Sequence, residues 1–177
     1  MGMYPGGNII RVTPELSTTP AYSNHDVLFN ATEIPNAVSY RGGVSKLLGV
    51  TLLDKADTDH DFDLIFMKVS TDLANALNVA VGTGSVWTNA LASAAKVIGI
   101  LQVDHGDSNI DLINNMVWSS FKSGPSENNS GNNLPMPLKA EDGSTSVYVA
   151  GVSRSSGGAF NPDADDYEFA FHVEYLG

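Results

Sequence analysis

The fold of this chain is decided by the stretch YEFAFHVEY at residues 167–175. Aromatic or aliphatic residues fill every odd position, and the even positions hold Glu168, Ala170, His172 and Glu174. Successive side chains of a β-strand point to opposite faces, so the alternation predicts a strand with one buried and one solvated face. Only two residues follow, and we expect the chain to end within its own sheet. One-sided burial is typical of antiparallel sheets, which indicates a β-sandwich or a barrel.

Turn-rich segments separate further candidate strands along the chain. We predict them at residues 8–13, 26–30, 37–40, 44–53, 62–69, 97–103, 111–121, 134–140 and 145–153. Gly49 interrupts an apolar run and indicates a bulge or a close approach of another group. The alanine-rich stretch at 71–98 predicts a short helical insertion, with Thr88 as a helix cap. The chain is therefore expected to be all-β, a β-sandwich of jelly-roll type, with a small barrel as the alternative.

Charge and composition argue against several classes of function. The chain has 20 acidic and 9 basic residues, a net charge of −11, and the basic residues form no run. Nucleic-acid binding depends on Lys and Arg that neutralise phosphates, so neither nucleic acid nor an anionic membrane is an expected partner. The lack of cysteine removes disulfides, thiolate metal sites and cysteine nucleophiles. We find no signal peptide and no apolar run near the ~18 residues of a spanning helix, which predicts synthesis in a cytoplasm.

Two acidic loops, at residues 54–63 and 161–166, are the candidate cation sites. Asp57, Asp59 and Asp61 have the alternate spacing that opens a calcium-binding loop. Phe62 stands where that motif needs glycine, and Lys68 stands where it needs glutamate, which excludes an EF-hand. We predict no metal site and no cofactor, and a looser calcium site shared by the two loops stays open.

The histidines and serines form no catalytic motif. No histidine pair has the spacing of a helical metal site, and no serine lies in G-x-S-x-G. We therefore predict no catalytic residues and a protein that is not an enzyme. An enzyme would need His60 or His105 to share a concave pocket with a serine. Trp87 and Trp118 would suit a sugar platform, but core packing is the preferred interpretation.

The N-terminal third resembles a group of tailed-phage proteins. Their shared pattern is I-x-V-T-P, then A-Y, then D-V-L-F, then a G-G turn before a long strand, and here it falls at residues 10–14, 21–22, 26–29 and 42–53. Residues 63–66, 145–148 and the closing aromatic strand also fit. Such proteins are virion structural components, among them capsid decoration (cement) proteins. The resemblance implies a non-enzymatic protein on the capsid exterior, made in the host cytoplasm, whose partners are the major capsid protein and further copies of itself in a homotrimer.

Residues 1–23 are expected to form an extended N-terminal arm, followed by a single sandwich domain at 24–177. Pro5, Pro14 and Pro20 favour extended backbone in this segment. Our hypothesis is that the arm lies across a neighbouring subunit or the capsid. The residues predicted to mediate this assembly are Ile9, Ile10, Arg11, Val12 and Tyr22. A tail or baseplate sandwich module and a carbohydrate-binding β-sandwich module remain as alternative functions.

Overall fold

A computed structural model describes residues 6–18, 22–58, 60–85, 87–104, 109–112, 116–121, 134–154 and 162–176. Within these ranges it has ten β-strands, one short α-helix, α1 (Asn89–Ala95), and a single 3₁₀ turn (Thr83–Ser85). The strands are β1 (Gly7–Val12), β2 (Val27–Ile34), β3 (Val44–Asp54), β4 (Phe62–Met67), β5 (Val97–Val103), β6 (Asn109–Asp111), β7 (Met116–Ser120), β8 (Met136–Lys139), β9 (Val147–Ser153) and β10 (Tyr167–Leu176).

Strands from the first part of the chain pair with strands from its later part, in reverse order along the sequence. β1 pairs with β10, β2 with β9, β3 with β8 and β4 with β5, each antiparallel. A six-stranded sheet has the order β1-β10-β3-β7-β6, with β8 also paired with β3, and a four-stranded sheet has the order β2-β9-β4-β5. Successive strands such as β1 and β2 therefore lie in opposite sheets. This is jelly-roll connectivity, and the predicted all-β sandwich is confirmed.

The core between the sheets is built on the aromatic side of β10. Tyr167, Phe169 and Phe171 are fully buried, which confirms the alternation predicted for this strand. The ring of Phe169 lies 5.7 Å from that of Phe29 on β2 and 6.1 Å from that of Phe62 on β4. One strand thus contacts the opposite sheet along most of its length.

A second apolar layer covers the other side of the four-stranded sheet. Leu73, Ala74 and Ala95 pack there against Met67 and Ala150. Asn30 on β2 holds this insertion, since its side-chain oxygen accepts the Leu73 N–H at 2.9 Å and its amide donates to the Ala74 carbonyl at 3.1 Å. The predicted helical insertion is confirmed in short form, because Asn89–Ala95 is the only α-helical segment among the described residues of this stretch. The carbonyl of Thr88 accepts the first helical bond, from Ala92, as expected of a capping position.

Two predicted strands differ in the structure. Residues 37–40 form a bend rather than a strand, although Ala37 and Val38 are buried. Their backbone groups do not join a strand ladder. The Ala37 carbonyl accepts a hydrogen bond from the Ser45 hydroxyl, and the Val38 N–H donates to the Thr145 carbonyl. The strand predicted at 111–121 is divided between β6 and β7, and residues 113–115 between them lie outside the described ranges.

The N-terminal segment also differs from the extended arm expected at residues 1–23. Gly7–Val12 is a strand of the chain's own sheet, in which Ile10 and Val12 are buried opposite Phe171 and Phe169. Farther along, the Leu16 N–H donates to the Ala164 carbonyl at 3.0 Å. Burial of alternate apolar side chains stabilises this segment in the sheet, so its described part belongs to the sandwich. Residues 1–5 and 19–21 lie outside the described ranges.

We predict that Phe169→Ala lowers the free energy of unfolding by about 3–5 kcal/mol, the usual loss for a large buried aromatic residue. The matched control is Glu168→Ala, the neighbouring residue on β10, whose ion pair with Arg11 is partly exposed to solvent. The control is expected to lose about 1 kcal/mol or less. Urea unfolding monitored by tryptophan fluorescence measures both, and equal losses would contradict the placement of β10 described above.

Candidate interaction face

The two acidic loops meet, and protein groups occupy both carboxylate oxygens of Asp54 in the first loop. Asp54 is fully buried at the end of β3, and its carboxylate accepts the backbone N–H groups of Ala56, Asp57 and Thr58 at 2.9–3.1 Å. It also accepts the Thr58 hydroxyl at 2.8 Å. Asp54 therefore holds the first loop in shape and has little capacity left for an outside cation.

A lysine joins the first acidic loop to the second. The Lys55 ammonium donates to the Asp165 carbonyl at 2.8 Å and lies 3.8 Å from the Asp165 carboxylate. The Lys55 backbone N–H donates to the Asp166 carbonyl at 2.9 Å. Throughout the described ranges, no three His, Asp or Glu residues are grouped so that they could hold a metal ion. Asp59 and Asn161 lie outside those ranges.

His60 does approach a serine, but in the interior of the fold. Its Nε2 lies 3.0 Å from the Ser153 hydroxyl oxygen, and Ser153 is fully buried on β9. The Ser153 backbone N–H and carbonyl are bonded to the Asp26 carbonyl and the His25 N–H. Because the Ser153 hydroxyl is fully buried, it is not accessible to a substrate in the folded protein. The contact between His60 and Ser153 links β9 to the loop before β4. His105 lies outside the described residues.

The aromatic residues considered as a sugar platform pack inside the protein. Trp118 is buried on β7, and its indole N–H donates to the Asp104 carbonyl at 3.1 Å. Trp87 is partly buried in the insertion layer. Core packing, the preferred interpretation, is therefore what the structure has at both positions.

The most unusual surface is the outer face of the six-stranded sheet, meaning the side turned away from the core. The strand registers arrange this face in three rows that run across the strands. The first row holds Ile9, His172 and Gly49, with Phe121 just beyond β7. The second row holds Arg11, Ala170, Thr51 and Ser119. The third row holds Glu168, Leu53, Val117 and Ile110.

Several large apolar side chains on this outer face are exposed to solvent. Ile9 is 54% exposed, Phe121 is 53% exposed and Ile110 is 65% exposed. Leu48, at the bulge of β3, and Leu112, just after β6, are also exposed. Single exposed apolar residues are ordinary, but a group of them on one sheet face is typical of a surface that meets a partner.

Gly49 allows Phe121 to lie flat on the sheet. Any side chain at position 49 would collide with the Phe121 ring, and the register between β10 and β3 shifts beside this position. The sequence-based prediction of a bulge or a close approach at Gly49 is confirmed in both respects. The Phe121 ring also packs edge-on against His172, with ring centroids 4.8 Å apart.

Two ion pairs lie on the outer face. Arg11 Nη1 lies 2.6 Å from Glu168 Oε1, and Lys46 Nζ lies 3.2 Å from Glu174 Oε2. A partner that covered these four side chains would bury paired charges, which cost less than isolated ones. The face combines exposed apolar side chains with two ion pairs.

Of the residues predicted to mediate assembly, only Ile9 and Arg11 lie on the outer face. Ile10, Val12 and Tyr22 are buried in the core, where they offer no surface to a partner. Sequence reasoning missed Phe121 and Ile110. The alternation of Val117, Ser119 and Phe121 was a usable signal, but the side of the sheet to which it belongs follows only from strand pairing.

No helix in the described ranges is long and apolar enough to cross a membrane. No protein-family model, no curated protein and no solved structure matches the chain. The outer face is the feature of the described surface from which a function is best inferred.

We predict that the pKa of His172 lies below 6.5, because partial burial and the nearby Arg11 disfavour the imidazolium. The unfolded chain then binds more protons between the folded pKa and 6.5. The free energy of unfolding is therefore expected to rise with pH through that window and to level off above it. Titration of the ring signals by NMR measures the pKa, and His172→Gln should remove this contribution to the pH dependence. A folded pKa above 6.5 would contradict the prediction.

We predict that a fluorophosphonate probe leaves Ser153 unlabelled in the folded chain, because the Ser153 hydroxyl is fully buried. Mass spectrometry of the peptide that contains Ser153 gives the readout, with Ser153→Ala as a blank and a known serine hydrolase as the positive control. Labelling of Ser153 in the native protein would favour the enzyme alternative.

Proposed function

We propose that this protein is a non-enzymatic structural subunit of a tailed-phage virion that decorates the outside of the capsid. The observation that supports this best is the outer face of the six-stranded sheet, where Ile9, Phe121 and Ile110 are all more than half exposed. The resemblance of the N-terminal third to virion structural proteins supports the same class of function.

Burial of this face would favour assembly. Removing apolar surface from water contributes roughly 25 cal/mol per Å², so each of these side chains contributes on the order of 1 kcal/mol when a partner covers it. Such a contribution is modest for one contact. A symmetric shell repeats the contact many times, so that weak interfaces together give a tight assembly.

The charge of the chain fits a place outside the capsid. A net charge of −11 is unsuited to contact with packaged nucleic acid, which would repel it. The proposed partners are the major capsid protein and other copies of this chain, and the resemblance implies a homotrimer. No cofactor, catalytic residue or metal takes part in the proposal.

We predict that the chain is found in the head fraction of the phage that encodes it. Purified particles are separated into heads and tails, and both fractions are analysed by quantitative mass spectrometry. The major capsid protein and a tail-tube protein serve as fraction markers. Many copies per head are expected, in a fixed ratio to the capsid protein.

Absence from the particles would overturn the proposal. Recovery with the tails would replace it by the tail or baseplate alternative. The carbohydrate-binding alternative predicts retention on a glycan array, with a parallel array in chelator to detect a calcium requirement. Retention on that array without incorporation into heads would also contradict the decoration role.

A further inference from the structure

We infer that residues 69–96, the insertion between β4 and β5, form a strap that opens and closes as one unit while the sandwich stays folded, with Asn30 as its latch. The strap forms the second apolar layer with the four-stranded sheet. The inference goes beyond the proposed function and does not depend on it. It rests on the bonds within the strap, the shallow burial of its side chains and the role of Asn30.

The strap is bonded to itself at its base and farther along. The Val69 N–H donates to the Ala95 carbonyl at 3.2 Å, which joins the two ends of the strap beside β4 and β5. The Gly82 N–H donates to the Leu73 carbonyl at 2.8 Å, which joins two inner parts of the strap. These bonds connect the strap to itself rather than to the sandwich. The strap is therefore able to leave the sheet without breaking them, as a local unit of opening.

Few side chains of the strap are buried. Among its described residues only Leu73, Ala74 and Ala95 are buried, and alanine offers a single methyl group. Apolar stabilisation grows with the area removed from water, so this layer stabilises less than the aromatic core between the sheets. The helix α1 has seven residues, and helices shorter than ~12–15 residues are marginal on their own. The strap's remaining apolar contacts in the layer are only partly buried, and they come from Leu77, Val79, Val81 and Trp87.

Asn30 bonds to two of the three buried residues of the strap. Its side-chain oxygen accepts the Leu73 N–H at 2.9 Å and the Ala74 N–H at 3.4 Å, and its amide donates to the Ala74 carbonyl at 3.1 Å. Three backbone groups of the strap thus depend on one side chain of β2. Without that side chain they would lack these bonds in the closed strap, whereas water would satisfy them in the open one. Asn30 therefore sets the balance between the two states.

A second attachment lies at the edge of β2. The Asn78 N–H donates to the Val27 carbonyl at 2.8 Å, and the Val27 N–H donates to the Val79 carbonyl at 2.9 Å. Asn78 has a φ of 55° there, in the left-handed region that residues with a side chain occupy at a cost. The Lys96 ammonium lies 2.6 Å from Glu141 Oε1, but both side chains are partly exposed and such pairs stabilise little. These contacts position the closed strap without adding a large buried area.

Two neighbouring residues of β9 distinguish opening of the strap from unfolding of the sandwich. Val149 and Ala150 are both fully buried. Ala150 packs in the second apolar layer beneath the strap, whereas Val149 packs in the core between the sheets. Opening of the strap exposes position 150 and leaves position 149 buried, whereas global unfolding exposes both. A thiol at each position therefore reports the two events separately.

Thiol labelling tests the strap. The natural chain has no cysteine, so Ala150→Cys and Val149→Cys each introduce a single reactive thiol. Each variant reacts with an aromatic disulfide reagent over a urea series, and its labelling rate is compared with the rate set by its own global unfolding. Ala150→Cys should exceed that rate about tenfold or more at low urea, with a weak urea dependence, because opening exposes little surface. Val149→Cys should follow global unfolding.

Labelling of both thiols at the rate of global unfolding would overturn the inference. Labelling of Ala150→Cys as fast as in the urea-unfolded chain would also overturn it, because the strap would then never be closed. Ala74→Cys, on the strap side of the same layer, is a second reporter with the same expectation as Ala150→Cys. Circular dichroism confirms that each variant is folded before it is labelled.

Asn30→Ala tests the latch. At low urea this change should raise the labelling rate of Ala150→Cys about tenfold or more, because the closed strap loses three hydrogen bonds. The labelling rate of Val149→Cys should rise only as much as the loss of global stability requires. Asn30→Asp keeps the acceptor and loses the donor, so it should give an intermediate rate and serves where Asn30→Ala does not fold.

Ser45→Ala is the matched control for the latch. The buried Ser45 hydroxyl donates to the Ala37 carbonyl at 2.6 Å, so this change also removes a side-chain hydrogen bond to the backbone, but in the other sheet. It should leave the labelling rate of Ala150→Cys at low urea unchanged. Equal acceleration by Asn30→Ala and Ser45→Ala, or no acceleration by either Asn30 variant, would contradict the role of Asn30 as the latch.

Discussion

The position of β10 between β1 and β3 is the constraint on which the rest of the structure depends. Its buried side joins the two sheets through Tyr167, Phe169 and Phe171, whose rings contact rings from β2 and β4. Its hydrogen bonds hold the first strand of the chain and one of the longest strands on either side. Because the last strand must reach the first, the intervening chain has to return on itself. The jelly-roll pairing of β2 with β9 and of β4 with β5 is compatible with that return.

The same strand also determines the surface that we interpret functionally. Its other side places Glu168, Ala170 and His172 in the three rows of the outer face. These residues are paired or packed, with Glu168 bound to Arg11 and His172 in contact with Phe121. A face that holds two ion pairs and several exposed apolar side chains is suited to a protein partner rather than to a small charged ligand.

The features considered for chemistry are explained by structural roles. The Asp54 carboxylate organises its own loop through backbone N–H groups, and Lys55 joins that loop to the second acidic one. His60 and Ser153 form a buried polar contact between β9 and the loop before β4. In each case a group that has a familiar catalytic or metal-binding role elsewhere satisfies the hydrogen-bonding needs of a buried neighbour. Buried polar groups generally require such partners, so their presence alone does not indicate a reaction.

Local patterns in the sequence determined the existence of most strands, the one-sided burial of residues 167–175 and the unusual role of Gly49. These properties depend on period-two alternation and on the absence of a side chain, both of which are visible in a single chain. Tertiary structure alone decided that Ile10 and Val12 belong to the core, that residues 37–40 are not a strand, and that Phe121 and Ile9 share a face with His172. Each of these outcomes depends on which distant strand supplies the hydrogen-bond partners, and strand register is a long-range property that local alternation does not encode.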